Sequence, residues 1–366
     1  MQPERPITFA SIIALPLFRN VLTFLICLIS STLIRAQPDS LRAEKIVRLL
    51  PVPAIGYEPE TTTYLGGVIL FTIDPYQDGT TRTSNAKVEF NYTFRNQAIL
   101  DADWNYFFRE ERWFTRGYVE ASYYPDFYYG IGPASDQEAE LLYESRRWIA
   151  DLNLFRQLLP KTFVGLGGYY ANYGRIDQAH QQRFSELRNE AVLRGVVTAF
   201  RDDRDNLLNP RSGSYAALSL GYTLADRNYP YALLDARNYL PWHEGVFAVR
   251  VLSRHVGTGA VFFDQSIMGG DEAVRGYFYG RFRDRNLTTA QYELRSSTWH
   301  RFGLACFGGL SYLYEDFDGG AARLFYNYGA GLRFLIDRKE QVNLRFDYAI
   351  GADGQNGFYI GFGESF

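Results

Sequence analysis

One arginine, in the run Val274-Arg275-Gly276-Tyr277, carries the most specific chemistry in this sequence. The run lies in residues 255–285, a long break between two strand-like segments. Arginine presents five N–H donors in a rigid fork and keeps its proton, so it suits a carboxylate partner. The glycine permits a left-handed backbone or a close approach. We therefore predict that the segment folds back and buries the arginine against an acid, because an unpaired buried charge is costly.

Glu293 is the predicted partner of Arg275. It lies in residues 291–295, Gln-Tyr-Glu-Leu-Arg, where polar and apolar side chains alternate. If the apolar residues of this strand face outward, Glu293 and Arg295 face inward. The residues also allow a second interpretation, in which Arg275 is a solvated loop residue and Glu293 pairs with Arg295 or Arg345.

A second charged cluster lies in residues 201–213. Its Asn-Pro and Ser-Gly pairs favour a backbone reversal, and its charges predict either an ion-pair network at a rim or a solvated turn, since exposed pairs contribute little. We predict a structural role for its main residues, which are Arg201, Asp202, Asp203, Arg204, Asp205, Asn206, Pro210 and Gly213.

Motifs for catalysis or metal binding are not found in the sequence. The four histidines are widely spaced and form no metal-ligand pattern. There is no Gly-x-Ser-x-Gly elbow and no phosphate loop. The sequence therefore predicts a protein that is not an enzyme and that needs no cofactor or metal. A Ser, His and Asp set assembled only in the fold is the alternative that the sequence leaves open.

Composition and periodicity indicate the elements that position these residues. The chain has 366 residues, of which 17% are aromatic, and its net charge of −3 without a basic tract argues against nucleic-acid binding. Polar and apolar residues alternate over about ten residues in segments such as 87–95, 98–108 and 342–350. A soluble sandwich also alternates, but ten-residue strands and an aromatic excess are typical of strands that cross a bilayer.

These patterns predict an all-β fold, a transmembrane antiparallel β-barrel of about 16 strands spanning residues 51–366. Breaks after even-numbered strands are mostly short and several after odd-numbered strands are long, as expected for periplasmic turns and outer loops. Residues 74–84 are an exception, a longer inner turn. Strands are predicted near residues 51–57, 62–73, 85–95, 97–108, 113–124, 146–158, 161–174, 189–201, 213–224, 229–240, 244–254, 286–299, 302–313, 325–336, 340–351 and 356–366.

Residues 1–36 are predicted to be an export signal peptide. Their apolar run of about 14 residues is shorter than the roughly 20 residues that a transmembrane helix needs. A transmembrane anchor is the alternative. Residues 37–50 form a short N-terminal segment before the barrel. Cleavage after Ala36 leaves Cys306 as the one cysteine of the mature chain, so no internal disulfide is expected.

The chain ends on an aromatic residue of its last predicted strand. Phe358, Ile360, Phe362 and Phe366 are expected on one face. A terminal Phe at this spacing resembles the recognition signal of outer-membrane barrels. The alternative is an ordinary last strand that ends on Phe by chance.

The loop run, the turn 201–213 and the strand 291–295, in this order, resemble the BamA/TamA superfamily, the bacterial surface-antigen barrels. The resemblance covers residues 50–366, and the ending 363–366 is also similar. It implies that Val274 to Tyr277 lie in the sixth extracellular loop, folded into the lumen. It also implies that Arg275 pairs with Glu293 and that 201–213 form the inner turn after the eighth strand.

By this resemblance the protein is an integral outer-membrane barrel of a Gram-negative bacterium that takes part in protein or lipid assembly or translocation. Outer-membrane lipids, unfolded outer-membrane proteins and periplasmic lipoproteins are the implied partners, without a defined oligomeric state. A seam between the first and last strands would carry the mechanism, since Pro51, Pro53 and Gly56 weaken pairing of the first strand. The alternative is a loop-plugged pore, or an accessory docking subunit without insertase activity.

The sequence departs from the family pattern in two ways, and these make the resemblance stronger evidence for the barrel architecture than for protein assembly. Family members of the insertase type carry periplasmic POTRA domains, for which the residues before 51 leave no room, so a barrel-only member is expected. The family often has a second acid on the strand after the glutamate, and residues 307–310 have none. The loop arginine is therefore expected to rest on a small set of contacts.

Overall fold

The computed structural model describes residues 47–59, 61–135, 140–271, 273–317, 319–338 and 341–366. The predicted signal peptide, residues 1–36, lies outside the described residues, as does the segment 37–46. The first strand begins at Val47 rather than at residue 51, so the end of the predicted N-terminal segment belongs to the sheet.

Sixteen strands form one antiparallel sheet in chain order, which confirms the predicted all-β barrel. The first eight are β1 (Val47–Glu58), β2 (Thr62–Ile73), β3 (Ser84–Thr93), β4 (Ala98–Phe107), β5 (Trp113–Tyr128), β6 (Leu141–Leu159), β7 (Thr162–Gly174) and β8 (Glu190–Asp202). The others are β9 (Gly213–Leu224), β10 (Tyr229–Trp242), β11 (Gly245–Val256), β14 (Asn286–Arg295), β15 (Phe302–Tyr314), β16 (Ala322–Asp337), β17 (Val342–Gly351) and β18 (Asn356–Phe362). Two short strands between β11 and β14, β12 (Ser266–Met268) and β13 (Phe282–Asp284), pair only with each other.

The two faces of the sheet differ in the way that a membrane barrel requires. Outward-facing leucines are exposed, for example Leu166, Leu193 and Leu220. Their inward-facing neighbours Arg194 and Thr198 on β8 are buried. Apolar groups outside and polar groups inside are the alternation expected for strands that face lipid.

Aromatic clusters fill both ends of the barrel interior. Near the short turns, Phe155, Phe163 and Phe200 pack with other aromatic residues, and the Phe163 and Phe200 rings stack at 5.0 Å. Near the long loops, Tyr173 and Phe263 stack at 4.2 Å within a second cluster. Offset aromatic contacts at these distances add to the stability of each cluster.

The connections follow the predicted asymmetry. The longer inner turn after β2 is attached to the turn after β4. The Arg82 backbone N–H and Nε donate to Glu111 of that turn at 3.1 and 2.9 Å. One short α-helix in the described chain, α1 (Gln178–Arg183), lies in the loop after β7. None of the helices among the described residues has the length and apolar character needed to cross a membrane.

The barrel is nearly closed rather than continuous. β1 and β18 are the two ends of the sheet and have no paired register in the described chain. Their side chains meet at Tyr57 and Phe358, whose ring centroids are 6.1 Å apart. We call this boundary the seam.

Candidate functional site

Residues 257–285, which we call the long loop, connect β11 to β14 and carry the 274–277 run at the end of the β12–β13 ribbon. Gly269, Gly270 and Gly276 have φ values of 107°, 78° and 99°. Only glycine adopts the last of these without strain. A Cβ on Gly276 would also lie 3.0 Å from the Ile350 carbonyl carbon of β17. The loop backbone therefore lies directly against the barrel wall.

Arg275 is 3% exposed and binds two carboxylates at once. Its Nη2 donates to Glu293 on β14 at 2.7 Å, and its Nη1 donates to Asp347 on β17. The guanidinium group lies 3.4 Å from the ring centroid of Phe307 on β15. The structure thus brings Arg275 and Glu293 together, while Glu293 also accepts from Arg295 at 2.7 Å.

Asp347 corrects the expectation of a small set of contacts around the arginine. The second acid does not come from residues 307–310 on β15 but from β17, two strands further on. It reaches the arginine because β16 carries glycine at the intervening inward positions. A Cβ at Gly331 would lie 1.8 Å from the Asp347 Oδ1, and one at Gly329 would lie 2.5 Å from the Phe307 ring.

Around this contact lies a buried network of alternating charges that joins the loop, β14, β16, β17 and the chain end. Arg333 donates to Glu364 at 2.7 Å, and Arg345 donates to Asp271 of the loop. Because opposite charges are equal in number within this set, burial leaves none of them uncompensated. Its members are Arg275, Arg295, Arg333 and Arg345 with Asp271, Glu293, Asp347 and Glu364.

The other residues of the run also contact the wall. Val274 and Tyr277 are buried in one apolar cluster. The Tyr277 hydroxyl donates to the Tyr326 carbonyl at 2.6 Å and accepts from the Ala352 N–H at 2.8 Å. The Gly276 N–H donates to the hydroxyl of Tyr359 on β18 at 2.9 Å. The run therefore bonds directly to the last strand at the seam.

Asp264 fixes the loop at a second place, which sequence reasoning missed. It is 3% exposed, and it accepts from Tyr229 on β10 at 2.7 Å and from Arg254 on β11 at 2.9 Å. Arg194 on β8 also donates to it. Here the loop supplies the acid and the wall supplies the arginines, the reverse of the Arg275 contact. An acid directly after two phenylalanines in a loop was the available sequence signal.

Comparison with known proteins identifies the family. Residues 71–366 match the family model of the Omp85 superfamily domain. The chain belongs to the Omp85 superfamily. The resemblance predicted from the three sequence segments is thereby confirmed. Among curated proteins, none matches the sequence.

Solved structures show the same fold for this Omp85 chain. BamA from Haemophilus ducreyi, in a crystal structure lacking POTRA domains 1–3, has a TM-score of 0.59 at 14% identity, covering 87% of this chain and 70% of that one. CdiB from Acinetobacter baumannii has a TM-score of 0.57 at 14% identity, covering 87% and 60%. CdiB from Escherichia coli has a TM-score of 0.57 at 13% identity, covering 89% and 63%. The Omp85 chain thus spans less than two thirds of either CdiB chain.

The turn 201–213 of the Omp85 chain is a structured reversal between β8 and β9. Asp203 accepts from the Ser214 N–H, and this hydrogen bond lowers the pKa of the Asp203 carboxyl. Asp205 accepts from the Arg211 N–H at 2.9 Å. Gly213 has a φ of 100°, and a Cβ there would lie 2.4 Å from the Asp203 carbonyl oxygen. Asp203 and Asp205 therefore mainly accept from backbone N–H groups of the turn and of the start of β9.

The remaining residues of the turn divide into paired and solvated groups. Arg204 binds the buried Asp202 through two hydrogen bonds of 2.8 Å. The Arg201 side chain is largely exposed. Its Nη2 lies 3.4 Å from the Asp203 Oδ2, and an exposed ion pair of this kind contributes little stability. Asn206 accepts from two N–H groups within the turn, and the Pro210 carbonyl accepts from Arg295 at 3.1 Å. Arg295 thus links the turn to Glu293.

The chain end corrects one expectation. Phe358 and Phe362 face outward with Ile360, but β18 ends at Phe362 and Phe366 is 4% exposed inside the barrel. Gly363 has a φ of 77° and turns the chain inward. The Phe366 carbonyl then accepts from Arg295 at 2.8 Å. Phe366 therefore does not share the outer face of the other three residues.

The potential metal ligands of the chain do not converge. Among the residues that the structure describes, no group of three or more His, Cys, Asp or Glu side chains is arranged to hold a metal ion.

Proposed function

We propose that this Omp85 barrel lies in the outer membrane of a Gram-negative bacterium and moves or inserts polypeptide, or lipid, through its seam. The observation that carries the proposal is the unpaired boundary between β1 and β18 in an Omp85 sheet that is otherwise fully paired. Unpaired strand edges present N–H and C=O groups that can pair with another chain.

The composition of β1 supports a seam that opens. Pro51 and Pro53 lie in this strand and lack N–H donors. Within sheets, proline is found where its missing donor faces away from a partner strand, here the side towards β18. β18 has only 7 residues, fewer than the roughly nine of a strand that spans the bilayer. Both edges are therefore suited to separate at low cost.

The long loop supports the same proposal. We assign it as the sixth extracellular loop, folded into the lumen, where it holds the inner wall in shape. Arg275 binds β14 and β17, whereas Asp264 binds β8, β10 and β11. With these contacts the loop bridges the wall next to the seam and the wall away from it.

The partners in this proposal are outer-membrane lipids, unfolded outer-membrane proteins and periplasmic lipoproteins, and the barrel is not an enzyme. The turn 201–213 is assigned a structural role at the periplasmic rim. Phe358, Ile360 and Phe362, with the terminal Phe366, are assigned as the signal by which the chain itself is recognised for insertion.

Closing the seam covalently tests the proposal. Cysteines replace Tyr57 and Phe358 in a Cys306→Ala background, and a cleavable bis-thiol reagent joins them in cells that depend on this variant. We expect the cross-link to deplete outer-membrane proteins or lipids to the level seen when the protein itself is depleted, and cleavage to restore them. Quantitative proteomics and lipid analysis of isolated outer membranes provide the measurement.

The matched control places the cysteines at Val197 and Leu220, which are outward-facing register partners on β8 and β9. Joining two strands that are already paired should leave the membrane composition unchanged. The proposal fails if the Tyr57–Phe358 cross-link forms fully without any change in the membrane, or if depletion of the protein has no effect.

The attachment of the long loop to the barrel wall at both Arg275 and Asp264 also favours a second function, a loop-plugged pore. A chamber of about 790 Å³ lies beside the loop, between the inward faces of β5 to β11. A barrel of sixteen strands is wide enough for an aqueous channel. Electrical conductance across a planar bilayer distinguishes this function from assembly at the seam.

A further inference from the structure

The chamber beside the long loop has an unusual charge balance. It is bounded by the inward faces of β5 to β11 and by loop residues from Phe263 to Arg283. Its walls carry many tyrosines together with five arginines, which are Arg116, Arg147, Arg194, Arg254 and Arg283. The lining also has four carboxylates, Asp126, Asp151, Asp264 and Asp271, and Asp271 is already bound by Arg345, so three acids remain for the five arginines.

Two of the chamber arginines share one acid. Arg147 binds its own carboxylate, Asp126, at 3.0 Å. Arg194 and Arg254 both bind Asp264, which can neutralise only one positive charge. This part of the chamber therefore carries excess positive charge.

Arg283 has no carboxylate within ion-pair distance anywhere in the described chain, although it is only 3% exposed. Its Nε has no hydrogen-bond partner among the described residues, and its Nη1 donates a long hydrogen bond of 3.4 Å to the Phe262 carbonyl oxygen. The guanidinium carbon lies 3.9 Å from the centroid of the Phe262 ring, which holds the group in place. A buried, positioned and unpaired guanidinium is costly unless an anion binds it.

Tyr279 of the long loop lines the chamber together with these arginines. Its side chain is 37% exposed. Arg283, Arg147, Arg254 and Asp126 line the same chamber, and they are the charged groups that act most strongly on the Tyr279 hydroxyl. Three cationic groups and a hydroxyl donor therefore surround one region of the chamber.

We propose that the chamber binds an oxyanion, the phosphate or carboxylate group of a small solute, at Arg283, Tyr279 and Arg147. The guanidinium fork can donate two parallel N–H···O bonds to such a group, and the tyrosine hydroxyl adds a third donor. The aromatic walls accommodate the body of the solute. This site does not depend on the function proposed for the seam.

Ligand-dependent stability tests the site on the full chain in detergent. The temperature at which the folded band is lost on a gel is measured against sodium phosphate, sodium acetate or sodium chloride at constant ionic strength. We expect a saturable rise with phosphate or acetate, because a ligand that binds only the folded state stabilises it. Whichever of phosphate and acetate raises the unfolding temperature at the lower concentration shows whether the site prefers a phosphate or a carboxylate group. Chloride should give no saturable rise.

Arg283→Met separates binding from structure. Removing an unpaired buried charge should leave the stability in anion-free buffer unchanged or higher, while the oxyanion affinity falls about tenfold or more. Tyr279→Phe, which removes one hydroxyl, should weaken the affinity several-fold and serves if the first variant does not fold. Arg116→Met is the matched control, because Arg116 lines the chamber but lies over the Phe155 and Phe200 rings near the short turns, and it should keep the full response.

The proposal is overturned if chloride stabilises as well as phosphate and acetate at equal ionic strength, which would indicate an adventitious ion only. It is also overturned if Arg283→Met and Tyr279→Phe both respond as the native protein does. A loss of stability in Arg283→Met without any anion would show instead that the arginine is purely structural.

Discussion

Arg275 is the residue whose removal should disturb the barrel most. In Arg275→Ala, Glu293 and Asp347 keep their burial but lose a shared cation. Removing one partner from a buried ion pair costs about 3–5 kcal/mol. We expect the variant to lose its folded gel band at a clearly lower temperature. Arg275→Lys should recover only part of the loss, because an ammonium group cannot form the same two-sided fork.

Arg112→Ala is the control for this prediction, since Arg112 pairs with Glu110 at 2.7 Å on the exposed surface. Such pairs contribute about 0–1 kcal/mol, so this band should not shift. Combining Arg275→Met with Glu293→Gln should cost less than the sum of the single changes, because the two side chains interact. An Arg275→Ala band as heat-resistant as that of the native protein would contradict the buried pair.

The sequence could predict Glu293 but not Asp347, and the difference lies in distance across the sheet. Glu293 lies on the strand that follows the loop, so alternation alone makes it a candidate. Asp347 lies three strands beyond β14 and reaches Arg275 only because Gly329 and Gly331 leave the wall open. Two inward-facing glycines on one strand are the sequence signal for this approach, but periodicity does not say which side chains will cover them.

At the scale of elements, period two predicts the existence of the sixteen barrel strands better than their ends. β9 has its predicted limits, but β5 extends to Tyr128 and β6 begins at Leu141, both beyond the predicted ranges. The added part of β5 packs on the long loop, as in the contact of Tyr128 with Phe262 at 5.2 Å. The β12–β13 ribbon escapes prediction because strands of three residues are too short to show a period.

Gly276→Ala should loosen the whole loop from the wall. Its φ of 99° is strained for alanine, and the new Cβ would meet the Ile350 backbone at 3.0 Å. A forced backbone conformation of this kind costs about 1–3 kcal/mol. We expect trypsin to cleave folded barrels of this variant after Arg281 or Arg283, which are buried in the native loop. Mass spectrometry of the fragments identifies the site.

Gly79→Ala is the control, because it introduces a strained backbone conformation without a steric clash. Gly79 has a φ of 68°, and a Cβ added there would meet nothing within 4 Å. This change in an exposed turn should leave cleavage of the long loop as in the native protein. Equal protection of the loop in Gly276→Ala and the native protein would show that close contact at residue 276 does not hold the loop.

At the scale of the whole molecule, the fixed loop and the unpaired seam belong to one arrangement. The run 274–277 bonds to Tyr359 of β18, and Glu364 joins the chain end to Arg333 on β16. At the seam, the hydrogen bond of the run to the wall is made to β18. The side of the seam formed by β18 is therefore stabilised from inside the barrel, and this stabilisation does not require pairing with β1.

Conductance decides between a barrel that works at its seam and one that works through its lumen. With both Arg275 and Asp264 in place, we expect no steady current across planar bilayers, because the loop bridges opposite walls. Arg275→Ala and Asp264→Asn should each give brief openings, since the other contact still holds the loop. The double variant should give a steady conductance larger than the sum of the two, because either contact alone limits movement. A large steady current in the native protein would favour the pore, and a closed double variant would show that the loop is not the barrier.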